Sequence, residues 1–577
     1  MMRHCARVLP ITLIGALSLI LAACAGGSGS TSGASGGSSS GQVTGNLDTV
    51  NSANVTGMGT LTYVIERNIV DWNPLGSDTL VETQYIANAF DPSTFTTGPG
   101  TAQVTMNSTL LRSAKVISTN PQVVVYQINP KAVWSNGSPI TAADFIYTWK
   151  TSDPSICPDC DYTTSAGYDQ VTSVKGSDNG RTVTVTFSKP FADWQGMFSP
   201  ILPAYIAKQN GDNGTTAGLT KSFNTGFRYT NSFPNWSGGP FIMTSWVNDQ
   251  AATLVPNPKW YGPAVHLKRL VFQVITDPTD EITALQNGEV QVINPQPQVD
   301  MLQSIESMTG VHYQTELGLQ LESLEFNLNN PALDNAALRR AMYTAVDVSQ
   351  MVARTEKQID PSVAPLHNML FVPGQPYYTD NIGSLGSGNV AAAKKMLTGA
   401  GYKIVGGKLI EPGGKPLPSL VMRYTEGNAV QETECEVFQQ AVKALGVTVQ
   451  VESTNNLGAT LTHQAGEDYD VIALAWFATP FTAADFYQLY VPKGGLDFGN
   501  YYDPEVTKLF NQALQTINPT ASAALLNRAG TLMASDSYTM PLYQMPSLLA
   551  YSSKYGNVRD NPTYFGSTYN VGSWGLK

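Results

Sequence analysis

Residues 126–150, YQINPKAVWSNGSPITAADFIYTWK, decide the reading of this chain. They continue an apolar, β-branched run, Gln122 to Ile128 (QVVVYQI), which reads as a strand. Pro139-Ile140-Thr141-Ala142-Ala143-Asp144 then opens a helix. Thr141 can cap a helix, and Asp144, three residues on, completes a box-like pattern with an acidic group at the positive helix end. The helix carries on through Phe145, Ile146, Thr148 and Trp149.

The same alternation extends outward. Gly59 to Glu66 alternates as a strand, and Arg181 to Phe187 pairs with a preceding strand through Ser177-Asp178-Asn179-Gly180. Leu270 to Val274 and Val290 to Ile293 flank a helix over Pro278 to Asn287. Further on, helices are expected over 335–345, 390–397, 430–445 and 521–535, and one opens at Asp503-Pro504-Glu505. Strands are expected over 420–424 and 447–451, and Asp470 to Trp476 is apolar enough to be buried on both sides of a sheet. Strands alternating with helices imply mixed α/β domains.

The chain starts differently. Arg3 and Arg7 precede an apolar stretch of about 16 residues, short for a membrane span, so the segment reads as a secretory signal. It ends in Leu21-Ala22-Ala23-Cys24, which resembles the bacterial lipobox, with Cys24 as the acylated first mature residue. An ordinary signal peptide with a chance cysteine is the alternative. Residues 24–58 are rich in Gly, Ser, Thr and Asn and read as a flexible tether. About 520 residues remain, enough for two or three packed domains.

Lys and Arg number 33 against 44 Asp and Glu, a net charge of -11, which argues against nucleic acid as a partner because phosphate binding needs a basic footprint. Of five cysteines, Cys5 lies in the signal and Cys435 sits in a helical pattern as a buried thiol. Cys157-Pro158-Asp159-Cys160 could be a redox centre, half a zinc site or a small disulfide. It lies in a loop of Asp, Pro, Ser and Thr, no second C-x-x-C occurs, and there are only five His, so a loop disulfide on the oxidising side of the membrane is the preferred reading. No metal or other cofactor is expected. Neither H-E-x-x-H nor G-x-S-x-G occurs, and nothing in the chain points to an enzyme.

Four blocks carry a family resemblance: Tyr126 to Lys150; Gly238 to Val292, with Asn257-Pro258-Lys259-Trp260-Tyr261-Gly262 inside it; Leu324 to Asp347; and Tyr501 to Glu505. In their order and spacing they resemble the peptide/nickel family of extracytoplasmic solute-binding proteins, family 5, which holds the oligopeptide and dipeptide receptors of ABC importers. The resemblance implies a two-lobed periplasmic-binding-protein-like α/β fold of class II, the large peptide-binding type. Lobe one would span 59–320 with an extra subdomain near 100–235, lobe two 321–539, and a C-terminal return to lobe one 540–577. Hinge motion would open and close the cleft.

Receptors of this family place an aspartate just beyond a Trp at the end of a lobe-two strand, where it pairs with a peptide amino terminus. Here the matching segment is Trp476-Phe477-Ala478-Thr479-Pro480, so Thr479 stands where the carboxylate is expected. A hydroxyl can hydrogen-bond but cannot neutralise an ammonium. Asp485 either compensates or opens a helix. Trp476 is expected to line the cleft, or else to be a core residue at a strand end, with Phe477 the next candidate. On lobe one, Trp72 and Asn73 are cleft candidates, and Glu66 and Arg67 are either a site pair or a solvated ion pair. Tyr551, Tyr555, Tyr564, Phe565 and Tyr569 are expected to pack the return segment.

The implied function is capture of an oligopeptide or related polar solute at the outer face of the cell membrane, with delivery to the permease subunits of an ABC importer. The competing expectation is an envelope lipoprotein that keeps the fold for protein contacts in envelope assembly or regulation. The long Gly/Ser-rich tether suits an actinobacterial envelope.

Overall fold

The computed structural model describes residues 41–99, 104–230, 232–463, 466, 468–492 and 496–577, with only the main chain of Phe477. The signal segment, Cys24 and the first part of the tether lie outside the described residues.

Three principal sheets organise the body. The first has eight strands in the order Gly41–Gln42, Val311–Gln314, Leu549–Ser552, Val292–Ile293, Gly59–Ile65, Leu267–Val274, Ala251–Pro256, Phe241–Val247. Its central strand, Gly59–Ile65, runs parallel to Leu267–Val274 and to Val292–Ile293. Residues 61–65 of that strand are buried throughout, because both faces of the sheet are covered. Val64 belongs to a buried cluster with Leu285, Leu302 and Ile305 on the helical face, while Tyr63 meets Phe272 and Trp574 on the other.

The second sheet has five strands in the order Val449–Thr454, Leu420–Thr425, Val471–Phe477, Leu317–Phe326, Thr539–Pro546. The apolar run ahead of Trp476 is thus an inner strand. The Ala429–Lys443 helix packs on this sheet through Phe438, whose ring lies 6.4 Å from Phe326, and buries Cys435 completely. A third sheet of four antiparallel strands, Leu111–Thr119, Gln122–Ile128, Thr182–Phe187 and Val171–Ser177, forms the core of the extra subdomain. The Ala142–Ser152 helix covers it. Thr141 caps that helix, accepting from Ala143 N, and Asp144 Oδ2 accepts from Thr141 N at 2.7 Å.

The molecule is two-lobed, and sheet pairing locates the crossings between lobes more sharply than sequence does. Val311–Gln314 belongs to the first sheet and Leu317–Phe326 to the second, so lobe two begins by Leu317 instead of 321. Thr539–Pro546 is an outer strand of the second sheet, paired with Leu317–Phe326. The return to lobe one therefore begins between Pro546 and Leu549, not at 540.

The tether ends earlier than its composition suggests. Gly41–Gln42 pairs with His312 and Tyr313, Leu47 and Val55 are buried, and Asn51 Nδ2 donates to the Val558 carbonyl at 2.9 Å. These polar residues are ordered by backbone partners on lobe one, which a window on composition does not see. Cys157 and Cys160 are joined by a disulfide in a loop of turns. No helix among the described residues is long and apolar enough to cross a membrane.

Candidate functional site

The lobes touch directly. Asp193, on the loop after the Thr182–Phe187 strand of the subdomain, accepts a hydrogen bond from Ala484 N of lobe two at 3.0 Å. Gln296 of lobe one accepts from Asn428 Nδ2 of lobe two at 3.2 Å. Ala192 N donates to the Leu514 carbonyl at 2.7 Å. A Cβ on Gly196 would stand 3.0 Å from the Phe481 ring, so glycine lets the two surfaces meet there. This is a closed arrangement.

Beside the Asp193–Ala484 and Gly196–Phe481 contacts lies a cavity of about 160 Å³. Lobe one lines it with Phe95 and, from the subdomain, Tyr168, Phe191 and Asp193; lobe two with Thr479, Phe481 and Asp485; the C-terminal return with Tyr564 and Phe565. Among the described residues that line it there is no Lys, Arg or His.

Asp485 lies in the first turn of the Thr482–Tyr490 helix. Its Oδ2 accepts from Thr479 N at 2.6 Å and from Thr479 Oγ1 at 2.7 Å, so the threonine found where a carboxylate was expected is tied to one six residues on. Burial raises the Asp485 pKa to about 6, against the opposing effect of the Thr479 bonds. Burial also raises that of Asp193 to about 7, and the charge of Asp485 adds to the effect.

The other sequence candidates do not all reach this cavity. Trp476 is half-buried, and its Nε1 donates to Glu325 Oε1 at 2.9 Å on the neighbouring strand, so its polar end serves the second sheet. Phe477 pairs its main chain with Gln320; its side chain lies outside the described residues. Trp72 and Asn73 are core residues of lobe one, a correction to the cleft assignment. The Trp72 ring meets Trp246 edge-on at 5.2 Å, and Asn73 Nδ2 donates to the Phe223 carbonyl. Both are buried because the subdomain folds over the segment that leaves the first strand.

Glu66 and Arg67 do not pair with each other. Arg67 Nε binds Glu82 Oε1 at 2.8 Å, and Glu66 Oε1 accepts from Gln296 N at 3.4 Å. Glu66 is thus one residue removed from the Gln296–Asn428 contact between lobes. Its pKa is raised to about 7 by burial and by the charge of Glu82.

Sequence reasoning missed Asp193, Phe95, Tyr168, Phe191 and Phe481, and it assigned Tyr564 and Phe565 to packing. One signal was present: Phe191-Ala192-Asp193-Trp194 sets a carboxylate between two aromatic residues just past a strand.

Comparison with known proteins agrees with the two-lobed fold. The family model described as bacterial extracellular solute-binding proteins, family 5, middle, matches residues 105–498. The oligopeptide-binding protein OppA of Mycobacterium tuberculosis is 27% identical over 476 residues, covering 81% of this chain and 76% of its own. The probable monoacyl phosphatidylinositol tetramannoside-binding protein LpqW of the same organism is 25% identical over 322 residues, 55% of this chain and 47% of its own. The solved structure of the periplasmic EDTA-binding protein EppA has a TM-score of 0.87 at 33% identity, covering 92% of this chain and 99% of that one. A match of this extent, on a chain with two lobes closed over a lined cavity, places the protein in the bacterial extracellular solute-binding proteins of family 5, a family of binding proteins and not of enzymes.

Proposed function

We propose that the chain is the solute-binding component of an ABC importer, anchored by lipid on Cys24 at the outer face of the cell membrane. It captures a peptide or related polar solute between its lobes and presents the closed form to permease subunits. The observation that carries this reading is the cavity walled by both lobes and the return segment, with direct hydrogen bonds between the lobes across the cleft. A ligand that bridges the lobes stabilises the closed state by its differential affinity for it. OppA, named for oligopeptides, supports the peptide expectation. EppA, named for a polyanionic chelator, is a poorer guide to the ligand, because the described residues lining this cavity include two aspartates and no basic side chain.

A second reading keeps the fold and drops transport, leaving an envelope lipoprotein that works through contacts with other envelope components. The similarity to LpqW, a protein named for binding an envelope glycolipid, ties the fold to envelope components as well as to peptides.

Native and denaturing mass spectra of the protein expressed into an oxidising compartment separate the two. Solute capture is expected to show a defined small mass released on denaturation. A protein that carries no such mass and binds nothing in a broad screen of peptides and polar solutes would exclude the importer role.

A further inference from the structure

We infer that a lysine-rich hairpin of lobe two docks on the anionic headgroup surface of the membrane, as a second attachment in addition to the lipid proposed on Cys24. The 390–419 segment that carries it lines no part of the interlobe cavity, so this contact is separate from solute capture.

Charge is the first argument. Residues 390–419 hold five Lys and one Glu, on a chain whose net charge is -11. All five, Lys394, Lys395, Lys403, Lys408 and Lys415, are exposed, and none is in an ion pair among the described residues. Tertiary contacts gather them. Leu417 N donates to the Leu409 carbonyl at 2.9 Å and Glu411 N to that of Lys415 at 2.8 Å, which folds a second turn back on the hairpin. A Cβ on Gly401, just past the Val390–Gly399 helix, would stand 3.4 Å from Pro412, so the helix end adjoins that turn. Leu409 N donates to the Gly446 carbonyl at 2.8 Å, which brings the hairpin to the end of the Ala429–Lys443 helix and its exposed Lys443. Like charges gathered in this way repel one another, and an anionic surface relieves that repulsion.

Shape is the second. Lys403–Val405 and Lys408–Ile410 pair around Gly406-Gly407, whose φ of +57° and +76° suit a tight hairpin turn. Val405 lies opposite Lys408, and Lys403 opposite Ile410, so lysine and aliphatic side chains share the outer face, while buried Leu409 holds the inner face to the body. Val405 is 60% exposed and Ile404 43%, and nothing stands within 4 Å of an added Cβ at Gly406, Gly407, Gly413 or Gly414. Both turns therefore face open space. Aliphatic groups flanked by lysines suit the boundary layer of a bilayer, where the apolar group enters and the ammonium reaches phosphate along its methylene stem. An acidic protein face would pair the lysines and gain nothing from Val405.

Reach is the third. The 17 residues from Cys24 to Ser40 span at most about 60 Å when extended. A compact body of this size has a radius of gyration of about 24 Å, so such a tether keeps it within about one diameter of the bilayer. The tether joins lobe one, where Gly41–Gln42 pairs with His312 and Tyr313, and the hairpin belongs to lobe two, so the two attachments hold different lobes.

The test is flotation of residues 24–577 with lipid vesicles. That chain holds every described residue, and Cys24→Ala removes the acyl site so that no lipid of its own takes part. Vesicles of equal parts phosphatidylglycerol and phosphatidylcholine are expected to bind it, and vesicles of phosphatidylcholine alone are not. Lys403→Glu/Lys408→Glu is expected to weaken binding by about fivefold or more per lysine, and Val405→Ser by about fivefold. Raising salt from about 50 mM to about 500 mM is expected to release the protein. Lys115→Glu/Lys175→Glu makes the same change of charge at exposed positions of the subdomain and is expected to bind as the parent does. If the hairpin pair does not fold, Lys394→Glu/Lys395→Glu is read in its place. Equal binding to both vesicles, equal losses from the hairpin and subdomain pairs, or a Val405→Ser chain that binds as the parent does overturns the inference. Binding to neither vesicle overturns it too and leaves the lysines to an acidic protein face. Solute capture stands or falls separately, on the mass spectra.

Discussion

Thr479 shows how one substitution can be absorbed by its neighbours. Its hydroxyl donates to Asp485 and accepts from Phe481 N at 3.1 Å, so it links the strand end to the first turn of the next helix. Thr479→Val keeps the shape and removes both bonds, leaving Asp485 with the amide alone. The expected cost is about 1–2 kcal/mol in urea unfolding, with a further rise in the Asp485 pKa, because the carboxylate loses a donor that favours its charged form. A variant as stable as the wild type would show the hydroxyl to be incidental. Trp476 illustrates a different limit. Its position at a strand end suggested the cleft, yet its indole finds a buried acceptor in Glu325. An indole at a strand end reads the same in sequence whether its N–H meets solute or carboxylate.

At the scale of elements, two glycines separate backbone crowding from backbone freedom. A Cβ on Gly318, at the start of the strand that enters lobe two, would fall 1.9 Å from the Pro562 carbonyl of the return segment. Gly318 also offers its own carbonyl to Gln544 Nε2 at 2.6 Å, so the strand cannot move away freely. Gly318→Ala is expected to destabilise by about 2–4 kcal/mol as overpacking at a crossing point. Gly399 ends the Val390–Gly399 helix with nothing within 4 Å of an added Cβ. There Gly399→Ala is expected to stabilise by about 0.4–1 kcal/mol by restricting the unfolded chain. Thermal or urea melts of the pair check both signs at once.

The molecule as a whole buries more carboxylates than it pairs with cations. Glu322, Glu356 and Glu434 gather under Tyr543 in lobe two, whose hydroxyl donates to Glu434 and, at 3.3 Å, to Glu356. Each of the three keeps one buried oxygen without a partner among the described residues. Burial raises Glu322 to about 8, Glu356 to about 7, and Glu434 upward as well. In lobe one, burial raises Glu281 to about 9, with the charge of Glu66 adding to it. The folded protein therefore holds protons that the unfolded chain releases around 4.5, the ordinary glutamate value. Their contribution to stability is full below that pH and is lost as the pH rises through about 7 to 9. The urea midpoint is expected to fall between pH 5.5 and pH 8.5. A midpoint that climbs over this range would mean that these groups are ionised and compensated in the native state.

The sequence by itself determined those features whose physics is local. Thr141 and Asp144 cap a helix through atoms three residues apart, and Asp503 opens Pro504–Gln515 in the same way. The run before Trp476 is apolar because its strand is enclosed by neighbours on both sides. Cys157 and Cys160 are close enough along the chain to meet in their own loop. Ordered blocks of such features were enough to indicate the family and its two lobes. Tertiary structure alone decided where the chain crosses between lobes, because Thr539–Pro546 belongs to whichever sheet supplies its partner. It alone drew residues 41–58 into lobe one, through bonds to a segment some 500 residues away. And it alone assembled the cavity: Asp193 meets Ala484 across 291 positions of sequence, and Tyr564 joins them from the far end of the chain. A site built from segments so distant leaves no periodicity and no spacing to read, since what unites its residues is the closure of two lobes.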